Sequence, residues 1–129
     1  MDAGYNVGRV VKDMRIADML AGLLDTSAVR QKVVAHNIAN VNTPGFKRSE
    51  VNFEDDLKAA LAHNDMDKAA TLKPEVAVSD DPALRNDGNN VDIDKEVGRL
   101  TKNALLYSTY VNILSRKFSL LNSAITGKS

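Results

Sequence analysis

Ten apolar or small residues near the carboxyl end recur at alternating intervals of four and three: Ile93, Val97, Leu100, Ala104, Tyr107, Val111, Leu114, Phe118, Leu121 and Ile125. That unbroken spacing is the seam of a coiled coil and predicts one helix over 93–125. At ~1.5 Å per residue such a helix is roughly 50 Å long. Asp92 stands where an N-cap belongs, Asp94 and Glu96 put negative charge in the first turn, and Gly127 follows as a terminator. A matching stripe runs through the amino-terminal third: Val10, Met14, Ala17, Leu20, Leu24, Ser27, Gln31, Val34, Ile38 and Val41. Ser27 and Gln31 weaken its middle, and Gly22 lowers the local helix propensity. Pro44 ends this helix by about Thr43, because the residue before proline is pushed out of the α region. At the start, Asn6 is a candidate cap for a helix from Val7, with Gly4 and Gly8 favouring fraying.

The two stripes predict an antiparallel hairpin in which Leu20, Leu24, Val34 and Ile38 meet the seam from Val97 through Phe118. Each helix also carries a second apolar stripe beside its seam. On the first helix it consists of Ile16, Met19, Leu23 and Val33, and on the second of Leu106, Tyr110, Ile113, Leu120 and Ala124. A hairpin buries one face of each helix and leaves the other wet, so unburied stripes of this length predict contacts between subunits. By the same argument the free hairpin is marginal in water, and its terminal segments are expected to be largely disordered before assembly.

Between the helices the pattern breaks down. Phe53, Leu57, Ala60 and Leu61 predict one short helix after Asn52, and Val76 and Val78 alternate as a short extended piece beyond Pro74. Pro82 and Asn86-Asp87-Gly88-Asn89-Asn90 are loop chemistry. The fold class is therefore mainly α: two long terminal helices paired as an antiparallel coiled coil, around an irregular centre with a short helix and candidate short strands. Three regions follow: the first helix over 1–43, the centre over 44–91 and the second helix over 92–129.

Composition narrows the picture. The 129 residues hold 17 basic and 17 acidic side chains, no cysteine and no tryptophan. One domain at most fits that length, and the absence of cysteine removes disulfides, thiolate metal sites and cysteine nucleophiles together. No apolar run approaches ~18 residues, and no basic region followed by an apolar stretch opens the chain, so neither a membrane span nor a cleaved secretory signal is expected. The zero net charge conceals an asymmetry. Residues 1–48 carry seven bases and four acids, residues 49–96 five bases and thirteen acids, and residues 97–129 five bases and no acid. Cations suit the end of a long helix and polar loops collect aspartate. Alternatively, acidic centres meet the basic helices of neighbouring subunits.

Signs of enzymatic chemistry are poor. Neither a nucleophile elbow nor a phosphate-binding loop is present, and the glycines are scattered. His36 and His63 are far apart, and His36 reads as a packing or surface residue. Aligning Gly88 with the invariant glycine of a calcium loop puts Ala83 and Arg85 where carboxylates are required, so that reading fails. Acidic residues interrupt the basic ones at Arg9, Lys12 and Arg15 and at Lys47 and Arg48, which excludes a nucleic-acid face. No catalytic residue, metal or cofactor is predicted.

One segment remains: Ala35-His36-Asn37-Ile38-Ala39-Asn40-Val41-Asn42-Thr43-Pro44-Gly45-Phe46-Lys47. It reads as a helix exit followed by a tight turn. Pro44 at the second position and Gly45 at the third fit a type II turn, where glycine supplies the positive φ. Asn40 and Asn42 can bond groups at the helix end, and Phe46 folds back as an apolar plug.

From Asn37 to Phe46 this segment resembles the amino-terminal signature of the flagellar rod and hook proteins. Asp87-Gly88-Asn89-Asn90-Val91-Asp92 and the helix after it resemble the second half of that family's short proximal-rod branch, as does Phe53 to Leu61. The family's other short rod protein carries an Arg-Ser-Tyr type of motif where this chain reads Asn103-Ala104-Leu105-Leu106-Tyr107. The resemblance implies a structural subunit whose terminal helices pack side by side into a hollow axial rod that carries torque and encloses an export channel. It implies as partners copies of the chain itself, other rod proteins and a FliE-type rod adaptor, with indirect contact to the MS ring and export gate. The location implied is the periplasmic rod of the basal body, reached by flagellar type III export without cleavage. A soluble helical-hairpin adaptor or export chaperone is the rival reading, and it leaves the Thr-Pro-Gly-Phe turn without a role.

Overall fold

The structure, a computed structural model, describes residues 7–127. The chain runs through α1 (Val7–Ala39), β1 (Ser49–Asn52), α2 (Glu54–Ala62), α3 (Met66–Thr71), β2 (Glu75–Val78) and α4 (Ile93–Thr126). The two long helices pack on each other antiparallel: Asn37 meets Glu96 at one end of the pair and Asp13 meets Lys117 at the other. The mainly α hairpin read from the sequence is therefore the observed architecture. The candidate cap Asn6 lies outside the described residues.

Local chemistry accounts for the helix ends. Asp92 caps α4, its carboxylate accepting from the backbone N–H groups of Asp94 and Lys95 at 3.1 and 3.2 Å. Gly127 closes the helix in the left-handed region at φ +69°, as a C-terminal glycine commonly does. α1 ends at Ala39, ahead of Thr43, because Asn40, Val41 and Thr43 turn their N–H groups into tight turns before the proline.

The centre is more ordered than its polarity suggests. β1 and β2 form a two-stranded antiparallel sheet with Val51 opposite Val76. Phe53, at the end of β1, is almost fully buried against α1. Gly22 is what admits it: a Cβ there would lie 3.3 Å from Phe53 Cζ. The glycine that weakens the helix by about 1 kcal/mol relative to alanine thus accepts the largest buried side chain of the centre. Gly22→Leu is expected to destabilise the chain by about 1–3 kcal/mol, as overpacked cores do, read as a lowered thermal midpoint. An unchanged midpoint would mean that Phe53 does not pack there.

The α4 seam needs a correction. Ala17, Leu20, Ser27 and Val34 of α1 are buried as expected, and Leu24 and Ile38 are half-buried. On α4, however, Val97, Tyr107, Val111 and Phe118 are 37–56% exposed, with Ile93 and Ile125 exposed as well. Leu100 and Leu121 sit half-buried at the edge of the contact, and Leu114 is half-buried where the predicted seam and the contact face overlap. The face of α4 that meets α1 runs through Glu96, Asn103, Leu106, Tyr110, Leu114 and Lys117. At 100° per residue, the predicted seam is displaced from that face by roughly 80°. The physical reason is that the interface is partly polar, and a hydrophobic pattern cannot register polar residues that are buried because they are paired.

The stripes assigned to contacts between subunits shift accordingly. Leu106 and Tyr110 turn inward and line a groove with Arg30 and Val33 of α1. Ile16, Met19, Leu23 and Val33 are half-buried, and of the predicted set Ile113, Leu120 and Ala124 stay exposed.

Candidate functional site

The segment with the most specific sequence folds against a second segment about 45 residues later. Phe46 N–H donates to the Thr43 carbonyl at 3.2 Å and closes a turn with Pro44 and Gly45 at its centre. Gly45 has φ +75°, the conformation that a type II turn requires of its third residue. Gly45 N–H donates outward to the Asp87 carbonyl at 2.8 Å, and Lys47 Nζ donates to the Gly88 carbonyl. Pro44 is exposed, whereas Phe46 folds back until its ring stands 5.6 Å from that of His36.

Asn89 stitches the two segments together. It is fully buried, and its Nδ2 donates to the carbonyls of Asn40, Val41 and Thr43 at 3.1, 3.1 and 2.9 Å. These carbonyls lie beyond the end of α1, where no helical partner exists for them. Asn89 Oδ1 in turn accepts from Val91 N–H at 2.8 Å. Arg85 reaches the same helix end, donating to the Val41 carbonyl and to Asn42 Oδ1. Asn40 works locally: its Nδ2 donates to the His36 carbonyl and its Oδ1 accepts from Thr43 Oγ1.

Asn37 does for the start of β1 what a neighbouring strand would do, and Asn90 bridges the segment entering β1 to the loop at Asp81. Asn37 Oδ1 accepts from Ser49 N–H at 2.9 Å while its Nδ2 donates to the Ser49 carbonyl at 2.8 Å. Asn90 Oδ1 accepts from Arg48 N–H at 2.7 Å, and its Nδ2 donates to the Asp81 carbonyl. Both side chains are buried. Only an amide carries a donor and an acceptor at the spacing needed to pair with a backbone in this way.

Beneath them lies an ionic cluster. Glu96, fully buried on α4, accepts from Arg48 Nε at 2.8 Å, from Arg99 at 2.6 Å and from Asn37 Nδ2 at 3.2 Å. The Arg48 guanidinium also reaches Glu50 and Asp81. Burial pulls that guanidinium down from its ordinary pKa, and the bonds to Glu96 and Glu50 more than offset it, so its pKa is raised overall. One carboxylate thus ties together α1, the residue that leads into β1, and α4. Arg30 adds a bond to the Val51 carbonyl and a bidentate pair with Glu54.

The structure brings Asn37, Asn40, Asn42, Thr43, Pro44, Gly45 and Phe46 into one unit. It adds residues that reading the sequence alone did not single out as a site: Arg48, Glu96, Asn89, Asn90 and Asn103. Asn103 is buried on α4 and donates to the Ser27 carbonyl at 2.8 Å. The run of asparagines before Val91 was the one available signal. Among the described residues no group of histidine and acidic side chains is arranged to hold a metal ion. The site's side chains are spent on one another and on the backbone, which makes it a structural joint.

A family described as "Flagella basal body rod protein" matches residues 24–47, the end of α1 and the turn. Flagellar basal body rod protein FlgB of Borrelia hermsii is 36% identical over 126 residues, covering 84% of this chain and 93% of that one. FlgB of Bacillus subtilis is 32% identical over 118 residues, with 84% and 91% covered. FlgB of Escherichia coli is 32% identical over 111 residues, with 71% and 79% covered. Each of these relatives is named as a flagellar basal body rod protein. With its signature turn and its antiparallel helical hairpin both in place, the chain belongs to the FlgB family of flagellar basal body rod proteins.

Proposed function

We propose that this chain polymerises through its two long helices into a hollow axial rod that transmits motor torque and leaves a central channel for export. The observation that supports this reading is the exposed apolar length of α4, from Val97 through Tyr107 and Phe118 to Ile125. A monomer that kept this surface in water would carry an unusually long apolar patch. Copies of the chain itself and other rod subunits are the partners it suits. A FliE-type adaptor stands at the membrane side, and the MS ring and export gate lie beyond it. In this reading the chain works in the periplasmic rod after type III export without cleavage of a leader.

The joint at Thr43–Phe46 orients the centre relative to the helices, and through it the surface offered to neighbours. Gly45→Val is expected to abolish motility while expression persists, because a β-branched residue at φ +75° is strained. Full motility would remove the turn from the mechanism. Sedimentation of the purified chain over a concentration series tests polymerisation itself. Growth of larger species with concentration, alone or with other rod subunits, is the expected result. A monomer under all these conditions would favour the adaptor reading.

A further inference from the structure

The two-stranded sheet has two edges, and the chain treats them differently. Ser79 N–H donates to the Arg48 carbonyl at 2.8 Å, next to the pairing of Ser49 with Val78. An antiparallel ladder alternates, so Glu75, Ala77 and Ser79 turn their backbone groups toward β1, while Val76 and Val78 turn theirs outward. On β1 the outward groups belong to Ser49 and Val51, and side chains of α1 reach both residues. Asn37 bonds the N–H and the carbonyl of Ser49, and Arg30 donates to the Val51 carbonyl.

On β2 nothing answers. Among the described residues, the outward N–H and carbonyl groups of Val76 and Val78 make no hydrogen bond. Their side chains are 53% and 68% exposed. They stand on the same face as the buried Val51, which is opposite Val76. Natural edge strands are commonly blunted by charge, proline or a covering element. Here Pro74 guards only the entrance to the strand, and two bare valines follow it.

This edge is complementary to itself. When two copies of β2 run antiparallel about Ala77, Val76 of each faces Val78 of the other, and all four outward N–H groups meet carbonyls. The neighbouring registers are poorer. A slide of two residues one way sets Val78 against Pro74, which has no N–H to give. The same slide the other way sets Glu75 against Asp81, like charge against like. The central register instead brings Lys73 of each copy toward Asp80 and Asp81 of the other, all of them exposed.

We infer that β2 is a docking edge for β2 of a second copy, giving one four-stranded antiparallel sheet in the order β1-β2-β2-β1. A two-stranded hairpin is marginal by itself, and the pairing extends the apolar row that begins at Val51. The contact is isologous and closes at two copies. It is therefore separate from polymerisation through the helices and does not depend on it.

Because the chain has no cysteine, one substitution reads the register. At the centre of the pairing, Ala77 of the two copies face each other as a non-hydrogen-bonded pair with Cα atoms about 4.5 Å apart. That separation lies in the range a disulfide spans. Oxidised full-length Ala77→Cys is expected to give covalent dimer in roughly fivefold or greater excess over Lys58→Cys, Lys58 being exposed on α2. Equal yields would overturn the pairing, and larger species that form without the Ala77 cross-link would do so while leaving polymerisation standing. Val78→Pro removes two of the four bonds between copies and spares the β1–β2 ladder, which uses no donor of Val78. At an unchanged melting midpoint it should weaken dimerisation roughly tenfold, the effect of two lost hydrogen bonds, read by sedimentation. Undiminished dimerisation of that variant, or a wild-type chain that forms no dimer at any concentration, would overturn the inference as well.

Discussion

Replacing Glu96 by alanine is expected to lower stability by about 3–5 kcal/mol, the range for removing one partner of a buried ion pair. Glu96 is wholly buried and the Arg48 side chain is 6% exposed, so water is not available to compensate. Once the carboxylate is gone, Arg48 retains only Glu50 and Asp81 at its outer edge, at 3.1 and 3.3 Å. Asn37 Nδ2 loses one acceptor as well. For a domain of this size, a loss of that magnitude is a large part of the total. Thermal melting followed by circular dichroism reads it as a large fall in the midpoint or an absence of the cooperative step. A shift under about 1 kcal/mol would show that the cluster is peripheral. The paired change Arg48→Met with Glu96→Met is expected to recover much of the loss, because the cost lies in the orphaned charge more than in the missing attraction. If the double variant were as damaged as Glu96→Ala, the cluster would be acting chiefly through geometry.

Asn89→Ala is expected to cost about 2–4 kcal/mol and to abolish rod function even where the chain still folds. Its side chain supplies a donor to three carbonyls at the exit of α1 and an acceptor to Val91 N–H. Each net hydrogen bond contributes about 0.5–1.5 kcal/mol, and leaving the buried Val91 N–H without its acceptor adds to the loss. Asn89→Asp discriminates between shape and bonding. It keeps the volume and the acceptor but points a second oxygen at three carbonyl oxygens, so it should be at least as harmful as alanine. Motility of the two variants, compared with their melting midpoints, separates a loose joint from an unfolded chain. A motile Asn89→Asp strain would show that Asn89 merely fills space.

Both predictions concern polar side chains inside a helical protein, and they mark where reading the sequence reached its limit. The helices, their antiparallel pairing and the cap at Asp92 follow from short-range rules: periodicity, N-cap chemistry and the restriction that Pro44 imposes. The turn at Pro44-Gly45 is legible for the same reason, since a local backbone requirement selects a particular residue. Gly22 could be read only as a weakness of α1, because Phe53 lies 31 residues away and its approach is a tertiary event.

Amino-acid order by itself determined the two long amphipathic helices, the punctuation between them and the signature that carries the family. Only the tertiary structure decided which face of α4 meets α1. The heptad seam is the more apolar face, yet Glu96 and Asn103 take the interior position because Arg48, Asn37 and Ser27 satisfy them there. A buried polar group is tolerated when its partners are in place. Those partners come from segments 48 to 76 residues away, a separation at which no periodicity along the chain can signal the match.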